Sequence, residues 1–142
     1  MAEEMAKEII QPVPVAFLLC NQIITEIGTN KNTVVGIFDQ IGLQKFPADY
    51  GPIALYARLY DGEGRYEFEI EYVATKDQRQ LDPLIKGEFT VKARFAPIDL
   101  TIKLPHILIP QPGQYEFRLW IQKRYTQKIV FTAVKAAEGE RK

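Results

Sequence analysis

One thiol and one imidazole, Cys20 and His106, are the only side chains of their kinds in this chain and its only possible Cys–His pair. Such a pair needs the two groups within hydrogen-bond reach and a third group to orient the base. Cys20 lies inside the apolar stretch 15–26, where burial raises a thiol's pKa and leaves it inert. His106 stands between Pro105 and Ile107 in a short apolar segment. Both read as structural residues, and the chain is expected not to be an enzyme. One histidine and one cysteine are also too few for a typical zinc site. A calcium site like that of a C2 domain needs several carboxylates converging from loops at one end of the fold. Asp61, Glu63, Asp77 and Asp82 are the candidates, but Asp61-Gly62-Glu63-Gly64 is a pattern that hairpin geometry alone favours. No metal ligand is expected. Gly62 and Gly64 share that turn, with no helix after them to receive a phosphate, so no cofactor is expected either.

The surface offers more. Along Tyr115-Glu116-Phe117-Arg118-Leu119-Trp120-Ile121, strict alternation turns Tyr115, Phe117, Leu119 and Ile121 inward and Trp120 outward beside Arg118. Tryptophan next to arginine is typical of interface anchors and also stacks on sugar rings. Tyr56 and Tyr60 point outward from their own strand if Leu55 and Leu59 point inward. Trp120, Arg118, Tyr56 and Tyr60 are therefore the candidate interaction surface. Glu67, Glu69 and Glu71 make one strand face acidic, while Lys92, Arg94, Lys103 and Arg118 are outward on others. If those strands are neighbours, the charges form cross-strand pairs. If they lie on opposite sheets, the molecule is electrically two-faced.

The elements that must position these residues read as strands. The stretch 15–26, interrupted by Asn21 and Gln22, leads through the polar turn Gly28-Thr29-Asn30-Lys31-Asn32 into Val34-Val35-Gly36-Ile37-Phe38. The pair predicts a β-hairpin laid across the middle of the fold, with the two amides holding a kink. Gly36 inside a strand signals a bulge or a close backbone approach. Leu55, Ala57 and Leu59 alternate with Tyr56, Arg58 and Tyr60, the turn 61–64 follows, and Tyr66, Phe68, Ile70 and Tyr72 alternate with acidic residues. Further runs place Phe89, Val91, Ala93 and Phe95, then Ile98, Leu100, Ile102 and Leu104, on inward faces. Ile107-Leu108-Ile109, bracketed by prolines, reads as an edge segment or a packed loop. A last strand runs from about Tyr125 to Val134. This predicts an all-β, antiparallel two-sheet β-sandwich of about seven or eight strands, immunoglobulin-like or C2-like in architecture.

At 142 residues the chain is one domain by length. The boundaries expected are a flexible leader at 1–12, a sandwich at 13–135 and a disordered tail at 136–142. Eighteen basic and eighteen acidic residues cancel, which argues against nucleic acid as a partner. No apolar run is long enough for a membrane span, and residues 1–7 have no signal-peptide pattern. A lone cysteine suits a reducing compartment, so a cytoplasmic location is expected.

Phe17-Leu18-Leu19-Cys20-Asn21-Gln22, Val35-Gly36-Ile37-Phe38-Asp39, Asp61-Gly62-Glu63-Gly64 and Pro112-Gly113-Gln114-Tyr115-Glu116-Phe117 together resemble an uncharacterised family of small bacterial β-sandwich proteins, across roughly residues 15–134. That resemblance implies a sandwich fold and a bacterial or phage-related origin, and it transfers no functional residue. The expected function is a non-catalytic protein-interaction or assembly module, self-associating or binding an unknown protein partner. The alternative is a ligand-binding module, for carbohydrate or, in the manner of a C2 domain, for calcium and lipid.

Overall fold

A computed structural model describes residues 10–137. Positions 1–9 of the expected leader and 138–142 of the expected tail lie outside the described residues. Every regular element among the described residues is a strand, in the order β1 (Val13–Thr25), β2 (Asn32–Ile37), β3 (Gln40–Leu43), β4 (Ala48–Tyr50), β5 (Ile53–Tyr60), β6 (Gly64–Ala74), β7 (Ile85–Val91), β8 (Ile98–Leu104), β9 (Ile107–Ile109), β10 (Gly113–Ile121) and β11 (Arg124–Lys135). They form a four-stranded sheet, β2-β1-β5-β8, a five-stranded sheet, β3-β11-β10-β6-β7, and a two-stranded ribbon, β4-β9. Pairing is antiparallel except between β3 and β11, which run parallel. The expectation of seven or eight antiparallel strands is corrected on both counts. The additional short strands β3 and β4 lie between Asp39 and Pro52, a stretch whose glycines and prolines hide any alternation.

Alternation decides which side chains reach the core. Leu55, Ala57 and Leu59 of β5 meet Tyr66, Ile70 and Tyr72 of β6, Phe117, Leu119 and Ile121 of β10 and Phe131 of β11 in one buried cluster. Tyr72 stacks on Phe117 with ring centroids 4.7 Å apart, and each such ring contributes roughly 1.5–3 kcal/mol by leaving water. Tyr72 is deeply enough placed that burial pushes its phenol well above the usual range. The inward faces of β5, β6 and β10 are as the alternation predicts. The hairpin expected across 61–64 is corrected: β5 and β6 do not pair, and the turn carries the chain from the four-stranded sheet to the five-stranded one.

Two more expectations change. β7 ends at Val91 and the chain turns back through a hydrogen bond from Ala96 N to Ala93 O, 3.0 Å. Phe95, read as inward, is therefore 82% exposed. The first hairpin also does not lie across the middle. β1 is internal to its sheet, and β2 is its edge.

β1 is long enough to serve two partners in succession. Val13 to Cys20 pair with β5, and Cys20 to Thr25 pair with β2. Past the kink, the distal half of the hairpin folds over the outward face of its own sheet. There Ile23 and Val34 close on Cys20, Ala54 and Tyr56. Asn32 of β2 donates from Nδ2 to Asp99 Oδ2 of β8 at 2.8 Å. Three strand spacings of about 4.8 Å separate those strands in an open sheet, so only a folded-over hairpin lets them touch. The bend is made at Gly36, whose φ is +72°. A Cβ there would lie 2.3 Å from the Asn21 amide nitrogen, so the residue must be glycine both for its dihedral and for the side chain lying over it.

Candidate functional site

The four candidate surface residues fall on two separate faces. Leu119 and Leu55 point into the common core, so Trp120 and Arg118 of β10 face outward from the five-stranded sheet, and Tyr56 and Tyr60 of β5 face outward from the four-stranded one. The structure does not bring the two pairs together.

On the five-stranded sheet, β6 and β10 are neighbours and pair Arg118 with Glu71. Arg118 is thus a cross-strand partner of the acidic face, whereas Lys103 lies on β8 of the other sheet and Lys92 and Arg94 follow the end of β7. Arg118 Nε donates to Glu116 Oε1 at 2.9 Å, and its other nitrogens reach Glu71 (3.7 Å) and the Gln78 side-chain carbonyl. Thr75 donates its hydroxyl to Glu116 at 3.2 Å, and Lys128 lies 3.9 Å away. Glu116 is 3% exposed, the most buried charged residue described. Burial pushes its carboxyl up, but hydrogen bonds from Arg118 and Thr75 and the charges of Arg118 and Lys128 outweigh that and hold it below the usual range. Trp120 donates its indole N–H to Glu71 at 3.2 Å and meets Tyr125 edge-on at 5.8 Å. It is half-buried, not freely exposed. Sequence reasoning missed Glu116 because alternation marked it simply as outward. Its burial comes from neighbours that strand order alone supplies.

On the four-stranded sheet, Tyr56 lies in the small cluster beneath the hairpin. Arg58, beside it, donates to Asp99 at 2.7 and 3.2 Å. Burial raises the Asp99 carboxyl, and the hydrogen bonds from Arg58, Asn32 and Tyr56 with the Arg58 charge bring it below its ordinary value. Thr25, Asn30, Asn32, Arg58, Asp99 and Thr101 line an open polar cleft of about 410 Å³ between the hairpin and the sheet.

The candidates for catalysis and metal binding are dispersed. Cys20 is 0% exposed and its thiol points at the carbonyls of Ala54 (3.5 Å) and Gln22 (3.6 Å). Desolvation pushes its pKa up, the opposite of what a nucleophile needs. His106 is exposed, with Asp49 at 3.9 Å as its ionic neighbour. Asp61 and Glu63 sit at one end of β6, whereas Asp77 and Asp82 follow its other end. Eleven residues of strand, about 36 Å at 3.3 Å each, keep the two acidic pairs apart.

What remains unsatisfied is apolar. Among the described residues eight large hydrophobics are exposed, and six belong to β1, β2 and their turn: Val13, Val15, Ile24, Ile27, Val35 and Ile37. Residues 15–134 match the model of DUF6941, a family of unknown function. The chain belongs to that family. The match has the extent that the sequence resemblance gave it, and it covers every strand but the ends of β1 and β11. No curated protein matches this DUF6941 member.

Proposed function

We propose that this DUF6941 protein is a non-catalytic interaction or assembly module of bacterial or phage-related origin, working in the cytoplasm and self-associating. In this reading the two larger sheets are the faces of an immunoglobulin-like β-sandwich. Tyr115 supports it: at the start of β10 its hydroxyl donates to the Gln111 carbonyl and accepts from Gln111 N–H at 3.2 Å, four residues upstream, as a tyrosine corner does in Greek-key sandwiches.

The observation that carries the functional reading is the gathering of exposed Ile and Val on the β1–β2 hairpin. Scattered apolar residues are ordinary on a surface, but exposed ones concentrated on one pair of strands point to a contact. Ile24, Val35 and Ile37 lie within or beside the β1–β2 ladder itself. Trp120 and Arg118 contribute as a rigid, internally bonded patch. Light scattering coupled to size exclusion, together with pull-downs by immobilised protein, tests this. A self-associated species or a specifically retained partner is expected. A strict monomer that retains nothing overturns the reading.

The polar cleft favours a second reading, a carbohydrate ligand held by Asn30, Asn32, Arg58 and Asp99 with Tyr56 nearby. A ligand bound only by the folded state raises the thermal midpoint. A glycan panel with no shift, or a shift unchanged in Arg58→Ala, rejects it.

A further inference from the structure

The outer strands of the two larger sheets are β2, β8, β3 and β7. A bare edge templates pairing with another chain, and proteins blunt edges with charge or with short strands. β7 carries Lys86 and Glu88, β8 carries Asp99 and Lys103, and β3 has only four residues. β2 is different. Its sequence, Asn32-Thr33-Val34-Val35-Gly36-Ile37, has six residues and no charge, and it keeps one register with β1 past Gly36. Val34 turns toward the small cluster, leaving Thr33, Val35 and Ile37 exposed.

We propose that the partner of this edge is a second copy of the chain, with β2 pairing antiparallel to β2 about a two-fold axis at Val35. The inference rests on the interaction-module reading and names its partner. An isologous contact must be self-complementary, and this register is. Val35 meets Val35 and Thr33 meets Ile37. Lys31, just before β2 in each copy, comes toward the end where the other copy's Asp39 follows β2 at a bend, its carbonyl bonded to Thr132 N. Lys31 and Asp39 are exposed, and neither has an ion pair among the described residues. Sliding the register by one residue sets Lys31 against Phe38 or Gln40 and leaves both charges unmatched. On the same face Ile24, the β1 neighbour of Thr33, extends the apolar stripe across both hairpins. The joined strands make one continuous sheet, β1-β2-β2-β1, through the two molecules.

Light scattering of the full chain over a concentration series, with circular dichroism as a folding check, tests the proposal. The wild type is expected to dimerise, and Val35→Lys, on an exposed position, to shift it to monomer. Lys31→Asp and Asp39→Lys alone are each expected to weaken the dimer about tenfold through two mismatched pairs. The double variant Lys31→Asp/Asp39→Lys restores it. A dimer indifferent to these changes, or a double variant as weak as the singles, overturns the β2 pairing while leaving the module reading standing. So does a monomer that retains a different protein in pull-downs. A monomer that retains nothing overturns both.

Discussion

The outward face of the five-stranded sheet and the folded-over hairpin are built on opposite terms. On the sheet face, Glu116, Arg118, Glu71, Thr75 and Trp120 satisfy one another, so a surface rich in charge and aromatic area has few bonds left to offer. The hairpin has Ile23 buried and Val34 half-buried beneath it and Ile24, Val35 and Ile37 exposed above. Residue type alone makes Trp120–Arg118 the more attractive contact. The hydrogen bonds show that it is already engaged, and that the plainer Asn-Thr-Val-Val-Gly-Ile strand is the one left open.

That contrast can be broken first at Glu116. Glu116→Ala leaves Arg118 and Thr75 without their buried acceptor and is expected to cost about 3 kcal/mol in urea unfolding. A loss below about 1 kcal/mol would mean that the sheet face is not held by its network. The hairpin responds next. Ile23→Ala opens the small cluster beneath it and is expected to cost about 2 kcal/mol, the low end for a buried isoleucine because the cluster can relax. Faster amide exchange confined to residues 21–36 should accompany it.

Gly36→Ala is expected to cost about 1–2 kcal/mol through its positive φ and the Asn21 contact. Adding Asn21→Ala should recover only the part due to the contact. Complete recovery would show that the dihedral is unstrained. The smallest effect is one of pH. Asp99 and Glu116 both have folded values held below normal. Their stabilisation is present in full above the ordinary carboxylate value of about 4 and disappears as the pH falls through their lower folded values. Asp99→Asn is expected to remove up to about 1 kcal/mol at pH 7 and to flatten the acid limb of a thermal-midpoint profile. An unchanged limb would refute the assignment.

Much of this was legible in the sequence where period-2 alternation is clean. The inward residues of β5, β6 and β10 all follow from it. The hairpin expected at 61–64 does not form, because a Gly-rich turn reads the same whether it joins neighbours in one sheet or carries the chain to the other. Gly36 announced a close approach, and the structure supplies Asn21 as its cause. Strand order was not legible, because pairing depends on contacts distant in sequence. The bond from Trp120 to Glu71 spans 49 positions, and the parallel β3–β11 ladder joins residues some 92 apart. Phe95 was misplaced because alternation cannot show where a strand stops. The folding-over of the hairpin was half visible: the kink could be read, but not the face onto which it turns the chain.

Cys20 gives the protein a clock. Its single sulfhydryl is sealed in the cluster with Ile23 and Ala54, so a disulfide reagent can mark it only when that seam parts. Labelling under native conditions therefore times the lifting of the hairpin, and labelling in denaturant times global unfolding. The ratio of the two rates measures how independently the folded-over half of the hairpin moves, with no residue substituted to report it.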